Sequence, residues 1–287
     1  MLQRTFQHLK GAGPITEAEL WRMGVKDWQA LLDAGQRNAA LARWHGGIRQ
    51  SQRRLETRDA AFFQSTLPPS ERWRLYSDFA HETAFLDIET TGLSREHAFV
   101  TLAGLLDVHG FKAYIRGDNL DELPEALGRY RLIVTFNGAA FDLPFLESEF
   151  SSALPCSRRQ GLFAHAAHLD LMHVLRRVGL RGGLKKIERA TGLGRGSDLS
   201  QLDGYDAVRL WRLADEGEPL ALETLVRYNA EDVASLPRLA NFAVNELSYG
   251  TPLAGSLPPT VPEIDAESLP YDPGLVSFLS RRRRSYV

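Results

Sequence analysis

Cysteine is nearly absent from this chain: Cys156 is the single one among 287 residues. That excludes an intrachain disulfide and any zinc site built from several thiolates. No apolar run approaches the roughly 18 residues that a membrane-spanning helix requires, so no membrane partner is expected. The first residues, MLQRTFQHLKGAG, lack the basic, apolar and small-residue order of a secretory signal, and the expected address is the cytoplasm. Lysine is scarce beside arginine, and the formal net charge of −2 lacks the basic balance that phosphate binding commonly leaves. The eight histidines show no convincing metal-ligand spacing, and no internal repeat is visible.

What remains is ordinary in bulk and informative in detail. Hydrophobic content of 44% and charged content of 24% suit a globular chain, long enough for one large domain with an appendage or for two modest domains. Residues 1–45 read as a helical region and 46–82 as an arginine-bearing connector with some helix. Residues 83–250 read as the main domain, and 251–287 as an extended, proline-rich tail ending in four arginines. Within the main domain, 84–89, 99–108, 110–116 and 131–137 have strand character, the middle two joined as a hairpin near His109-Gly110. Helical patterns cover 119–130, 141–150, 170–178, 183–191, 206–215 and 219–246, the last with a bend or break expected at Pro237. Strands mixed with helices in this order predict an α/β fold, a mixed sheet flanked by helices.

Carboxylates gather at three places. Asp87 and Glu89 are two apart at the end of a strand, so both side chains share one face. They could cap a strand end, or they could share a cation that relieves their repulsion. Asp142 follows a buried strand and a small-residue turn in FNGAAFDLPFL, just ahead of a helix. It suits an N-cap there, as Pro144 in the first turn also suggests, and a cap can still lend an oxygen to a metal. In RYNAEDVASL, Tyr228 and Asp232 are four apart and share a helical face, whereas Glu231 points about 100° away. Asn137 and Asp170 are read as a turn residue and an N-cap.

Taken together and in this order, FLDIETTGL, FNGAAFDLPFL and YNAEDV resemble the motifs of the DEDD exonuclease superfamily. The tyrosine places the resemblance in the DEDDy branch, and HLDLMHVLRRV with GLKKIERATGL makes it most similar to the YprB-like predicted exonucleases. The resemblance covers about 83–246. It implies a ribonuclease-H-like fold and a metal-dependent 3′–5′ exonuclease acting on single-stranded DNA or RNA ends. It also implies two divalent cations, Mg²⁺ or Mn²⁺, held by Asp87, Glu89, Asp142 and Asp232. In that scheme Asp87 bridges both ions, Glu89 and Asp232 complete the site that activates water, and Asp142 helps to hold the second ion. Tyr228 would orient the water, since an unperturbed phenol, with a pKa of about 10, is a poor base at neutral pH. Hard cations prefer oxygen ligands, which matches a site of carboxylates without histidine or cysteine. Two other readings stay open: a non-catalytic nucleic-acid-binding protein of the same fold, and a structure-specific endonuclease.

The N-terminal segment FQHLKGAGPITEAELW resembles a helix–hairpin–helix element, whose turn at Gly11 and Gly13 would offer backbone N–H groups to a phosphate. Glu17 and Glu19 fit that pattern poorly. A tight turn between packed helices explains the same residues.

Overall fold

The computed structural model describes residues 1–151, 161–193, 198–255 and 264–284; Cys156 lies outside them, as do the side chains of Glu267 and of Arg282 to Arg284. Its centre is a five-stranded sheet in the order β3-β2-β1-β4-β5. The strands are β1 (Thr83–Thr90), β2 (Val100–Asp107), β3 (Gly110–Ile115), β4 (Leu132–Thr135) and β5 (Ala167–Asp170). β2 runs antiparallel to β1 and β3, while β4 and β5 run parallel to β1. β1 occupies the middle and is buried along nearly its whole length, with Ala84, Phe85 and Leu86 filling both faces before the carboxylates at its C-terminal end. β2 and β3 form the expected hairpin, turning at Val108-His109, where Asp107 Oδ1 accepts the His109 N–H at 2.7 Å.

Alternation along the strands gives the sheet two apolar faces. Ala84, Leu86, Ile88 and Ile133 pack with Leu123 and Leu127 of α7 (Leu123–Leu127) and with Phe145 and Leu146 of α8 (Asp142–Phe150). On the other face, Phe85, Leu132, Val134 and Leu169 meet the N-terminal helices and α12 (Ala221–Ser248). α12 is buried on most of its sides and runs unbroken through Pro237. The expected break is absent because packing around this helix outweighs the hydrogen bond that proline cannot donate.

Residues 46–82, read as a connector with some helix, are mostly helical. They form α4 (His45–Glu56), α5 (Ala60–Thr66) and α6 (Leu75–Phe79), which share one core with α1 (Pro14–Arg22), α2 (Trp28–Gly35) and α3 (Ala39–Ala42) and with the sheet. Tyr76 meets Phe85 of β1 edge-on at 6.0 Å. Glu17 locks this assembly. It is 1% exposed, accepts the Phe6 N–H at 2.6 Å and the Gln7 amide at 2.7 Å, and pairs with Arg74 Nη1 at 2.9 Å. An acid that fits a phosphate-binding turn poorly is thus a buried counter-ion for an arginine far along the chain. No α-helix precedes Gly11, only a single 3₁₀ turn at Leu2–Arg4, so the first helix of a helix–hairpin–helix is missing. Phe6, Leu9 and Ala12 are spaced to fill the core rather than to line one helical stripe.

The C-terminal region also departs from expectation. Instead of staying extended, it forms a 3₁₀ turn at Ala266–Ser268 and then α13 (Pro273–Arg284), which buries Val276 and Leu279 against Leu210 and Leu225. Pro273 starts this helix, where its missing N–H costs nothing, and apolar residues three apart supply the buried face.

Candidate metal centre and its cleft

β1 points alternate residues at α12, and at its C-terminal end those residues are Asp87 and Glu89. Tyr228 and Asp232 lie one turn apart on α12 and reach the same place. Oxygen atoms of Asp87, Glu89 and Asp232 lie within 4.8 Å of one another, the one such acidic or metal-ligating group among the described residues. At that spacing each pair of charges repels by about 3–4 kcal/mol at an effective dielectric of 20. Burial therefore pushes the Glu89 carboxyl up, with the Asp232 charge adding to it, to about 8 despite an Asn229 hydrogen bond and the Lys185 charge.

Asp142 reaches the same cleft by a different route. β4 ends at Thr135, and the chain turns at Asn137, which adopts a left-handed φ of 67°. Gly138 must be glycine, since a Cβ there would lie 2.2 Å from Thr135 Oγ1. Asp170, at the end of β5, holds this turn: Oδ1 accepts the Asn137 N–H at 2.9 Å and Oδ2 the Ala139 N–H at 3.1 Å. The same Oδ1 caps α9 (Leu171–Arg177) by accepting the Met172 N–H at 3.0 Å. So placed, Asp142 opens α8, is buried, and accepts the Ile88 N–H at 3.1 Å. Burial raises its carboxyl to about 7; backbone N–H groups of Asp142 and Ile88 oppose that rise and the Asp170 charge adds to it. Asp142 is not one of the three acids within 4.8 Å. It lines the cleft with them.

A residue to which the sequence reading gave no role ties the cluster together. Asn229 is fully buried on α12, and its Nδ2 donates to the Asp87 carbonyl at 3.3 Å, Asp87 Oδ2 at 2.9 Å and Glu89 Oε1 at 3.3 Å. It presses against β2 at Gly104, where an added Cβ would lie 1.8 Å from Asn229 Oδ1. Glu231, its neighbour but one, turns away and pairs with Arg227 Nε at 3.3 Å; that arginine stacks over Tyr271. Lys185, on α10 (Leu184–Thr191), sets its ammonium 4.8 Å from the Tyr228 ring centroid and donates to the Leu202 carbonyl.

The cleft encloses about 470 Å³ and is lined by Asp87, Glu89, Asp142, Tyr228 and Asp232 together with apolar residues such as Leu93, Phe136 and Phe141. Gly11 and Gly13 do not line it; they sit in the N-terminal turn, tied to Trp44 through its Nε1 donating to the Lys10 carbonyl at 3.1 Å. His165 and His168 have internal partners, the Leu127 carbonyl and Thr135, and burial lowers His168 to about 4. The donor set suits hard divalent cations: clustered carboxylate oxygens, partly desolvated, with charge that only a cation or protons can relieve.

Fold and site define an α/β protein with an acidic centre at the C-terminal end of its middle strand. The chain belongs to the RNase_H superfamily, through the RNase_H_2 family, which matches residues 84–244. No curated protein matches the chain. Among solved structures, it is similar to the family B DNA polymerase of Pyrobaculum calidifontis (17% identity, TM-score 0.44), covering 71% of this chain but only 29% of the polymerase. It is also similar to Brucella melitensis NrnC bound to pGG (18% identity, TM-score 0.41), covering 72% of this chain and 85% of that one. A structure described as the apo form of a nuclease gives 16% identity and a TM-score of 0.41, covering 73% and 86%.

Proposed function

We propose that this protein is a metal-dependent 3′–5′ exonuclease of the tyrosine-bearing DEDDy type, akin to the YprB-like group, acting on single-stranded DNA or RNA. The observation that carries the reading is the cluster itself: three carboxylates with oxygens within 4.8 Å, lining one cleft with Asp142 and Tyr228. Asp87, Glu89 and Asp232 are the residues to hold Mg²⁺ or Mn²⁺, with Asp142 the fourth ligand on the α8 side. Bound there, such cations lower the pKa of water and offset charge on a phosphoryl group. Asn229 keeps Asp87 and Glu89 in register for that task. The Tyr228 hydroxyl orients the attacking water, its ring fixed by burial and by Lys185. The cleft, about 470 Å³, leaves room for a nucleotide.

The test uses single strands of matched DNA and RNA, blocked at either end or closed into a circle, with Mn²⁺ or with EDTA. Stepwise loss from a free 3′ end, only with metal, is expected. Cutting of the circle would instead mark an endonuclease, and binding of strands without turnover a non-catalytic relative.

A further inference from the structure

The wall of the cleft that faces the acids comes from α11 (Gly204–Asp215), which no motif marks. Tyr205, Val208 and Arg212 follow one another at intervals of three and four, so one stripe of this helix lines the cleft. The opposite stripe is core: Ala207 and Leu210 pack with Leu225 and Tyr228. The helix start is pinned by a reciprocal cap, in which Asp203 accepts the Tyr205 and Asp206 N–H groups and Asp206 accepts that of Asp203. Tyr205 therefore projects from a fixed helix end, and yet its side chain is 69% exposed. Arg209 pairs with Asp206, whereas Arg212 is exposed and has no ion pair among the described residues. Arg212 is also the one cation among the described residues lining a cleft that otherwise holds four acids.

We infer that this stripe grips the substrate strand, Tyr205 stacking on a nucleobase and Arg212 pairing with a phosphate on the 5′ side of the bond being cut. The inference rests on the nuclease reading and adds the class of ligand contact: a strand with at least one phosphate beyond the scissile one. A polyanion entering a carboxylate-lined cleft needs a cation that the metal site does not provide, and guanidinium suits phosphate through its paired N–H donors. An exposed aromatic ring on a rigid element offers a base-independent stacking surface.

Two readouts test it. Fluorescence anisotropy with Mn²⁺ measures binding of an oligonucleotide carrying a phosphorothioate at its 3′ bond, and kinetics compare that sequence unmodified with the p-nitrophenyl ester of thymidine 5′-monophosphate. Tyr205→Ala should weaken strand binding by about 5- to 150-fold, with Tyr205→Phe close to wild type. Arg212→Ala should raise KM for the strand about tenfold, spare the ester, and lower the slope of log affinity against log salt by about 0.7. Arg212→Lys should restore the slope. Unchanged binding and slope in Arg212→Ala and Tyr205→Ala, with a wild type that cleaves, would overturn the grip and leave the nuclease intact. A wild type that binds through these residues without cleaving would do the reverse, and one that binds no strand removes both. Both side chains are exposed, so melting curves of the variants should match wild type.

Discussion

Replacing Gly104 by alanine adds one methyl group on β2, a strand that supplies none of the acids, and it should still disable the centre. The new Cβ would lie 1.8 Å from Asn229 Oδ1, 3.0 Å from Asn229 Cγ and 3.0 Å from the Phe111 ring. Ordinary contact needs about 3.5 Å, so Asn229 or the strand must shift by roughly 1.7 Å. Asn229 is rooted in the most buried helix of the fold, and a shift of that size breaks its bonds to Asp87 and Glu89. Overpacking costs about 1–3 kcal/mol and a lost hydrogen bond to a charged group about 1.5–3 kcal/mol. A combined loss of about 3 kcal/mol lowers the melting temperature by roughly 6–12 °C for a domain of this size. Metal affinity should fall about 10- to 100-fold, as when the support behind a ligand is removed. Differential scanning calorimetry with and without Mn²⁺ reads both quantities. Asn229→Ala removes the obstructing atom, so adding Gly104→Ala to it should cost little more. A Gly104→Ala protein with unchanged melting and Mn²⁺ affinity, or effects that simply add in the double variant, would refute the close approach as the cause.

Other expectations follow from the same geometry. Asp232→Ala or Asp87→Ala should abolish metal-dependent nucleolysis while a circular-dichroism melt stays cooperative; turnover at wild-type rate in either would discard the ligand assignment. Without metal, Glu89 is raised from about 4.5 towards 8 on folding, so its contribution to stability is fully present below pH 4.5 and is lost as pH rises through 8. Metal-free protein should therefore melt lower at pH 8.5 than at pH 6, and Mn²⁺ binding near pH 6.5 should release protons, seen by calorimetry in buffers of different ionisation enthalpy. Tyr228→Phe should lower kcat about 10- to 1,000-fold and leave Mn²⁺ affinity unchanged, since only the water-orienting hydroxyl is lost. Glu17→Ala takes from buried Arg74 one of its two carboxylate partners, Glu71 remaining, and should cost about 1.5–3 kcal/mol, checked by urea denaturation, although the residue is remote from the cleft motifs.

The acids were legible because period-two and period-four spacing survive folding unchanged. Asp87 with Glu89 on β1, and Tyr228 with Asp232 on α12, share faces by backbone geometry alone. Choosing Asp232 over Glu231 followed from the same geometry, and the Glu231–Arg227 pair is the outcome on the other side of the helix. Asn229 stood in plain view inside YNAEDV, but its bonds run to Asp87 and Glu89 about 140 residues earlier in the chain, a pairing that no local spacing reveals. β5 escaped notice because four residues leading into a helix carry too little periodicity. Tyr205 and Arg212 belong to no motif; they become part of the cleft when α11 packs against β1. The N-terminal region misled for a related reason: a buried ion pair such as Glu17–Arg74 joins residues far apart in the chain and has no local signature.

The most direct measurement of the central claim is anomalous diffraction from crystals soaked in Mn²⁺. Strong peaks contacting Asp87, Glu89 and Asp232, with a second position on the Asp142 side, are the expected result. Peaks only elsewhere on the surface, with these carboxylates bare at saturating Mn²⁺, would contradict the account.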